Sequence, residues 1–168
     1  MMDQPVIQHR EELHYVAIRT RVGMNDIPVV LPPLLSQVST WMKDKNIVPA
    51  GAPFFRYLAM NEQHELDVEV GIPVATEVAP GPEMIAGSFP AGSYAVITHT
   101  GHYQRLREVH MQLNDWLKNE GWKEGLQVTP AQQKVGARTE FYINDPTVET
   151  NPENWVTEIA MLVEKITN

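Results

Sequence analysis

The chain has no cysteine among its 168 residues. That excludes a disulfide scaffold, a thiolate metal site and a cysteine nucleophile, and it fits a reducing cytoplasm, the expected compartment. No stretch approaches the ~20 consecutive apolar residues that cross a bilayer. The opening MMDQPVIQHREELHYVAI has an early Asp and lacks the apolar core of a signal peptide. Basic residues are few: 13 Lys and Arg against 21 Asp and Glu give a formal net charge of −8. Such a surface repels phosphate backbones, so direct nucleic-acid binding is not expected, and the same field favours cationic ligands. The nucleophile-elbow, phosphate-loop and dinucleotide-binding glycine motifs are missing as well, which argues against the familiar hydrolases, kinases and dehydrogenases.

What is present is a core-forming composition, 43% hydrophobic, arranged as short β-like runs around two helical ones. Residues 15–20 (YVAIRT), 54–60 (FFRYLAM) and 66–74 (LDVEVGIPV) read as strands, and residues 30–45 carry apolar side chains at helical spacing. Pro32 and Pro33 are placed in the first turn of that helix, where proline is tolerated. VAPGPEMIAG, rich in Pro and Gly, reads as a loop. The order then recurs: a strand at 93–99, an amphipathic helix from Tyr103 to Asn119 closed by Gly121, a loop through Pro130, and strands at 137–143 and 155–165.

Self-similarity follows from that order. Residues 17–23 lie over 95–101, placing Ala17 on Ala95 and Gly23 on Gly101. Trp41 lies over Trp116, and Glu69 over Glu158. The expected fold is therefore α+β: a duplicated strand–helix–strand–strand unit within a single domain spanning 1–168, with pseudo-repeats at about 15–75 and 93–165. The sheet should be mostly antiparallel, with both helices on one face.

His99-Thr-Gly-His102 raises the question of a metal site. The pair lacks a third ligand at suitable spacing, so no metal and no cofactor are expected. His99 then ends a strand and His102 helps start a helix. Glu158 is the sharper signal, because it interrupts WVTEIAMLV, an otherwise apolar strand. A carboxylate there, sharing a face with Val156, Ala160 and Leu162, needs a partner or a shifted pKa. An arginine such as Arg138 on a neighbouring strand is one candidate partner, an edge position facing solvent would need none, and a ligand is the functional alternative. Glu69 is its counterpart in the first repeat, on a face with Asp67, Gly71 and Pro73 that reads as more exposed and makes it the weaker candidate. Phe55 and Tyr57 in one half, Phe141 and Tyr142 in the other, with Trp122 and Tyr103 from loops, could supply aromatic walls, a combination suited to flat or cationic organic molecules.

SFPAGSYAVITHTGHYQRL, DWLKNEGW, EFYINDP and WVTEIAMLV together resemble the GyrI-like effector-binding family, the small-molecule-binding domain of AraC- and MerR-type multidrug regulators, which also occurs free-standing. The resemblance runs from about Tyr15 to Lys165. It implies a central cleft for hydrophobic, often cationic, compounds, with Glu158 at the position of the family's cleft glutamate and Tyr142 at that of a family tyrosine. Gly101-His102-Tyr103 departs from the family's Gly-Pro-Tyr. The leading expectation is a stand-alone domain that senses or sequesters ligand, the first strand near Tyr15 leaving no room for a helix-turn-helix before it. Two alternatives come with the family. One is a hydrolase of strained cyclopropane-bearing aromatics, with Glu158 as base and Tyr142 as acid. The other is a protein that binds and inhibits DNA gyrase or acts through a regulator as partner.

Overall fold

Period-two patterns generate most of the chain, and the computed structural model, which describes residues 4–129 and 132–167, shows two compact α+β units. The first takes Glu11–Ala91; the second takes the described parts of Met1–Arg10 and Gly92–Asn168. Pro130, where a loop is expected, lies outside the described residues.

In the first unit the chain runs β2 (Leu13–Gly23), α1 (Ile27–Asp44), β3 (Phe54–Met60), β4 (Glu65–Pro73) and β5 (Ile85–Phe89), and its antiparallel sheet has the order β3-β4-β2-β5. In the second, β1 (Val6–Arg10) is followed by β6 (Gly92–Thr100), α2 (Leu106–Glu120), β10 (Arg138–Tyr142) and β11 (Val156–Lys165), in the order β1-β6-β11-β10. Three short strands lie between α2 and β10: β7 (Trp122–Glu124) pairs with β11, while β8 (Leu126–Val128) and β9 (Lys134–Gly136) form a hairpin. Each half is thus the expected strand–helix–strand–strand unit plus one edge strand. The edge strands are exchanged along the chain: β1 precedes the first repeat but pairs in the second unit, and β5 precedes the second but pairs in the first.

Each helix covers one face of its own sheet. Val38 and Met42 of α1 pack on Val16 and Ile72, with Ile18 at the margin. Val109, Leu113 and Leu117 of α2 pack on Ala95, Ile97, Ile159 and Met161. Trp41 and Trp116 sit half-buried at the rims of these clusters. Gly121 ends α2 at φ +79°, a left-handed conformation glycine adopts without steric cost, and its N–H reaches the Leu117 carbonyl. The helix α1 begins a turn earlier than expected, with Pro28 near its start, so Pro32 and Pro33 fall inside it. The N–H groups they lack would have bonded the carbonyls of Pro28 and Val29, on an exposed side of the helix.

Two further expectations are corrected. The Pro/Gly-rich segment is not all loop, because Ile85–Phe89 forms β5. The alignment of the first strands also slips by one residue. Val16 and Ile18 face α1 as Ala95 and Ile97 face α2, so Tyr15 corresponds to Tyr94, Thr20 to His99 and Val22 to Gly101. Matching Ala17 to Ala95 puts the two on opposite faces, the cost of a one-residue shift in a pleated strand. Gly23 and Gly101 then share no backbone role: Gly23 is extended at φ −71° and Gly101 lies at φ +138°.

Candidate ligand-binding site

The register carries Glu69 and Glu158 to equivalent places. Glu69 stands on β4 between Arg19 of β2 and Arg56 of β3. Glu158 stands on β11 between Thr98 of β6 and Phe141 of β10. Since paired residues project to the same side of a sheet, both glutamates lie on the face opposite their helix. Each is accompanied by a tyrosine and an arginine, on different terms.

In the first unit the set is buried, which reverses the expected order: Glu69, not Glu158, is the covered carboxylate. The Tyr15 hydroxyl donates a short hydrogen bond to Glu69 Oε1, and Arg56 Nη1 donates to Tyr15 Oη at 2.9 Å and to the Ser88 carbonyl at 3.1 Å. The Arg56 guanidinium also lies 5.2 Å from the centre of the Phe89 ring. Tyr15, Phe54 and Phe89 form a triangle with ring centroids 4.9 to 5.0 Å apart. Two glycines make room for it. A Cβ on Gly87 would stand 2.7 Å from the Tyr15 ring, and one on Gly71 would stand 2.6 Å from the Val16 carbonyl oxygen and 2.7 Å from the Phe54 ring. Burial first, then the neighbouring Glu69 charge, push the Tyr15 phenol well above its ordinary value of 10.0, so it stays protonated and keeps donating. Arg56 is 1% exposed and Glu69 7%. Charge is balanced inside an apolar shell, so removing either charged partner would leave the other poorly compensated.

In the second unit the set is half-open. Arg10, from the edge strand β1, reaches across β6 and donates from Nη2 to Glu158 Oε1 at 2.8 Å. Its Nε and Nη2 also donate to Gln8 Oε1, at 3.3 and 3.0 Å. The guanidinium carbon sits 5.8 Å from the Tyr94 ring centre. Side-chain exposure is 28% for Arg10 and 26% for Glu158. By register, Tyr94 corresponds to Tyr15 and Glu158 to Glu69, while the arginine and a phenylalanine have exchanged strands. Arg56 occupies the place of Phe141, and Phe89 the place of Arg10.

The remaining sequence-derived residues are dispersed. Phe55 and Tyr57 share a side of β3 with their partners Val70 and Val68, away from Glu69; the aromatic on the Glu69 side is Phe54. Tyr142 likewise projects to the helix side of β10, and Phe141 is the residue opposite Glu158. Glu158 and Tyr142 therefore occupy opposite faces of one sheet. Trp122 packs beside the α2 core, with Lys165 Nζ 4.8 Å from its ring centre. Tyr103 stacks on Trp155 at 4.4 Å and meets Tyr142 edge-on at 5.5 Å.

Arg138 does not pair with Glu158, because it too points to the helix side. There its Nη1 donates to His110 Nδ1 at 3.0 Å and its Nη2 to Asn114 Oδ1 at 2.6 Å. Arginine can only donate, so His110 Nδ1 accepts and the ring proton sits on Nε2, 2.7 Å from Glu140 Oε2. Tyr142 completes the chain by donating to Glu140 Oε1 at 2.6 Å. This relay ties α2 to β10, and burial pulls the Arg138 pKa below its ordinary value. His102 Nδ1 accepts from the Gln104 N–H at 3.0 Å, which caps the turn before α2 as expected. His99 is buried and its Nε2 lies 3.2 Å from the His102 carbonyl.

The sequence profile of the GyrI-like small molecule binding domain matches residues 3–164. The chain belongs to that family. Among solved structures, this GyrI-like chain is similar to the C-terminal domain of EcmrR, at 22% identity and a TM-score of 0.75, covering 97% of this chain and 98% of that one. Against EcmrR in its complex with DNA it covers 97% of itself but 58% of that chain, at a TM-score of 0.76, so it spans a little over half of the longer protein. SAV2435, solved bound to tetraphenylphosphonium, is 10% identical with a TM-score of 0.62, covering 96% of this chain and 94% of that one. A hydrolase from Listeria innocua is 12% identical with a TM-score of 0.57, covering 96% and 92%. At these identities the likeness is one of fold. No curated protein matches the chain.

Proposed function

We propose that this GyrI-like domain binds a lipophilic organic cation on the face of its second unit that carries Glu158, and that it senses or sequesters such compounds in the cytoplasm, with a transcription regulator as partner or parent. The observation that carries the reading is the contrast between the two glutamates. Glu69 is sealed with Arg56 and Tyr15. Glu158 is partly open, on a face shared with Val96, Ala160, Leu162 and Phe141. A half-open carboxylate gives a delocalised cation a counter-charge, and the apolar and aromatic side chains packed beside it, mostly buried in this fold, suit its hydrocarbon part. The net charge of −8 adds long-range attraction. That SAV2435 has been solved with tetraphenylphosphonium supports the same ligand class here.

Calorimetric titration with tetraphenylphosphonium, wild type against Glu158→Gln, tests it. Saturable binding that the substitution weakens about tenfold or more is expected, the scale of a lost charge-assisted contact. Equal affinity in the two proteins would remove Glu158 from the site.

A further inference from the structure

Arg10 shows what the Glu158 carboxylate can hold. Its guanidinium is met by three complementary groups at once: a carboxylate oxygen of Glu158 at 2.8 Å, the amide oxygen of Gln8 at 3.0 Å, and the face of Tyr94 at 5.8 Å. A planar, N–H-donating cation over an aromatic ring is the chemistry this arrangement satisfies. Arg10 is also replaceable, unlike Arg56. It sits at 28% exposure on a five-residue edge strand that pairs on one side only, through β6. A pair this open to solvent contributes less to folding than a sealed one.

We infer that Arg10 is a resident occupant of the ligand site, and that the cations which displace it best are aryl amidinium or guanidinium compounds. This rests on the proposed function and narrows its ligand class. A displacing amidinium takes over the contacts to Glu158, Gln8 and Tyr94, and the Arg10 side chain moves into solvent. A phosphonium has no N–H to give Gln8, so it regains only charge and stacking. Arg10 thereby sets a threshold that any displacing cation meets, and the groups it vacates set the preference among cations.

The test is calorimetry with the aryl bis-amidine pentamidine and with tetraphenylphosphonium, on wild type, Arg10→Ala, Arg10→Lys, Arg10→Ala/Glu158→Gln, and Arg107→Ala as a charge-matched control on the exposed side of α2. Arg10→Ala should bind pentamidine roughly three- to tenfold tighter than wild type. The gain should be similar for the phosphonium, smaller in Arg10→Lys, and absent from both the control and the double variant, with pentamidine the tighter-bound cation in wild type and Arg10→Ala alike. Thermal melts of each variant check folding, and Arg10→Lys keeps the test open should the alanine variant be unstable. No tightening in Arg10→Ala, or tetraphenylphosphonium bound as tightly as pentamidine, overturns the inference. If Glu158→Gln weakens binding while Arg10→Ala leaves it unchanged, the proposed function stands and the resident-occupant reading falls. If no variant binds either cation, both fall.

Discussion

Replacing Arg56 by methionine should destabilise the first unit severely, and the structure sets the scale. The substitution removes the donors to the Tyr15 hydroxyl and the Ser88 carbonyl and the cation lying over Phe89. It also removes the buried cation linked through the Tyr15 hydroxyl to Glu69, which is 7% exposed. Breaking one side of a buried ion pair costs about 3–5 kcal/mol, most of it the penalty on the charge left behind. Methionine fills much of the volume, so a cavity adds little. Chemical denaturation followed by tryptophan fluorescence and by circular dichroism should show a loss of this size. For a chain this long that is a fall in melting temperature of roughly 6–20 °C. Adding Glu69→Gln should restore part of the loss, because the orphaned group is then neutral. Arg10→Met, which breaks the half-open pair of the second unit, should cost about 1 kcal/mol or less. A loss below about 1 kcal/mol for Arg56→Met, or equal losses for the two variants, would refute the distinction between a sealed and a displaceable pair.

Other outcomes follow from the same geometry. The Tyr15 phenol is raised above its unfolded value of 10.0. The folded state therefore holds a proton that the unfolded chain sheds above that pH, and stability present below pH 10 is lost as pH rises. Tyr15→Phe should flatten the alkaline limb of a stability–pH curve by up to about 1.4 kcal/mol per pH unit, and an unchanged slope would contradict the assignment. Gly71→Ala should cost about 1–3 kcal/mol in denaturant unfolding, since the added Cβ meets the fixed Val16 carbonyl at 2.6 Å. Tyr142→Phe should lose about 1 kcal/mol of stability with its bond to Glu140, yet leave cation affinity unchanged in calorimetry. An affinity loss there would place Tyr142 in the ligand site.

The parts of this architecture legible in the sequence are those written locally. Strand–helix–strand–strand order, the Gly121 cap and the oddity of Glu158 in an apolar strand depend on neighbours a few residues apart. The partners of the glutamates do not. Arg10 lies 148 residues from Glu158, on a short polar edge strand that reads like an ordinary terminus. Arg56 carried a usable signal, a charge amid the aromatics of FFRYLAM, as Glu158 did in its own strand. Adjacent aromatics misled for a different reason. In Phe54-Phe55 and Phe141-Tyr142 either residue could face the glutamate, and a strand decides by parity alone. β5 was hidden by composition, because Gly87 looks like a turn residue but serves as the floor beneath the Tyr15 ring.

The most direct measurement is a nitrogen–proton correlation spectrum recorded during titration with a lipophilic cation. The account predicts shifts concentrated at the amides of Thr98, Phe141 and Glu158 and at the Arg10 side-chain Nε, with Glu140, Tyr142 and His110 little moved. Shifts centred instead on Tyr103, Tyr142 and Trp155, with Glu158 and Arg10 silent, would put the ligand on the other face of the sheet and contradict it.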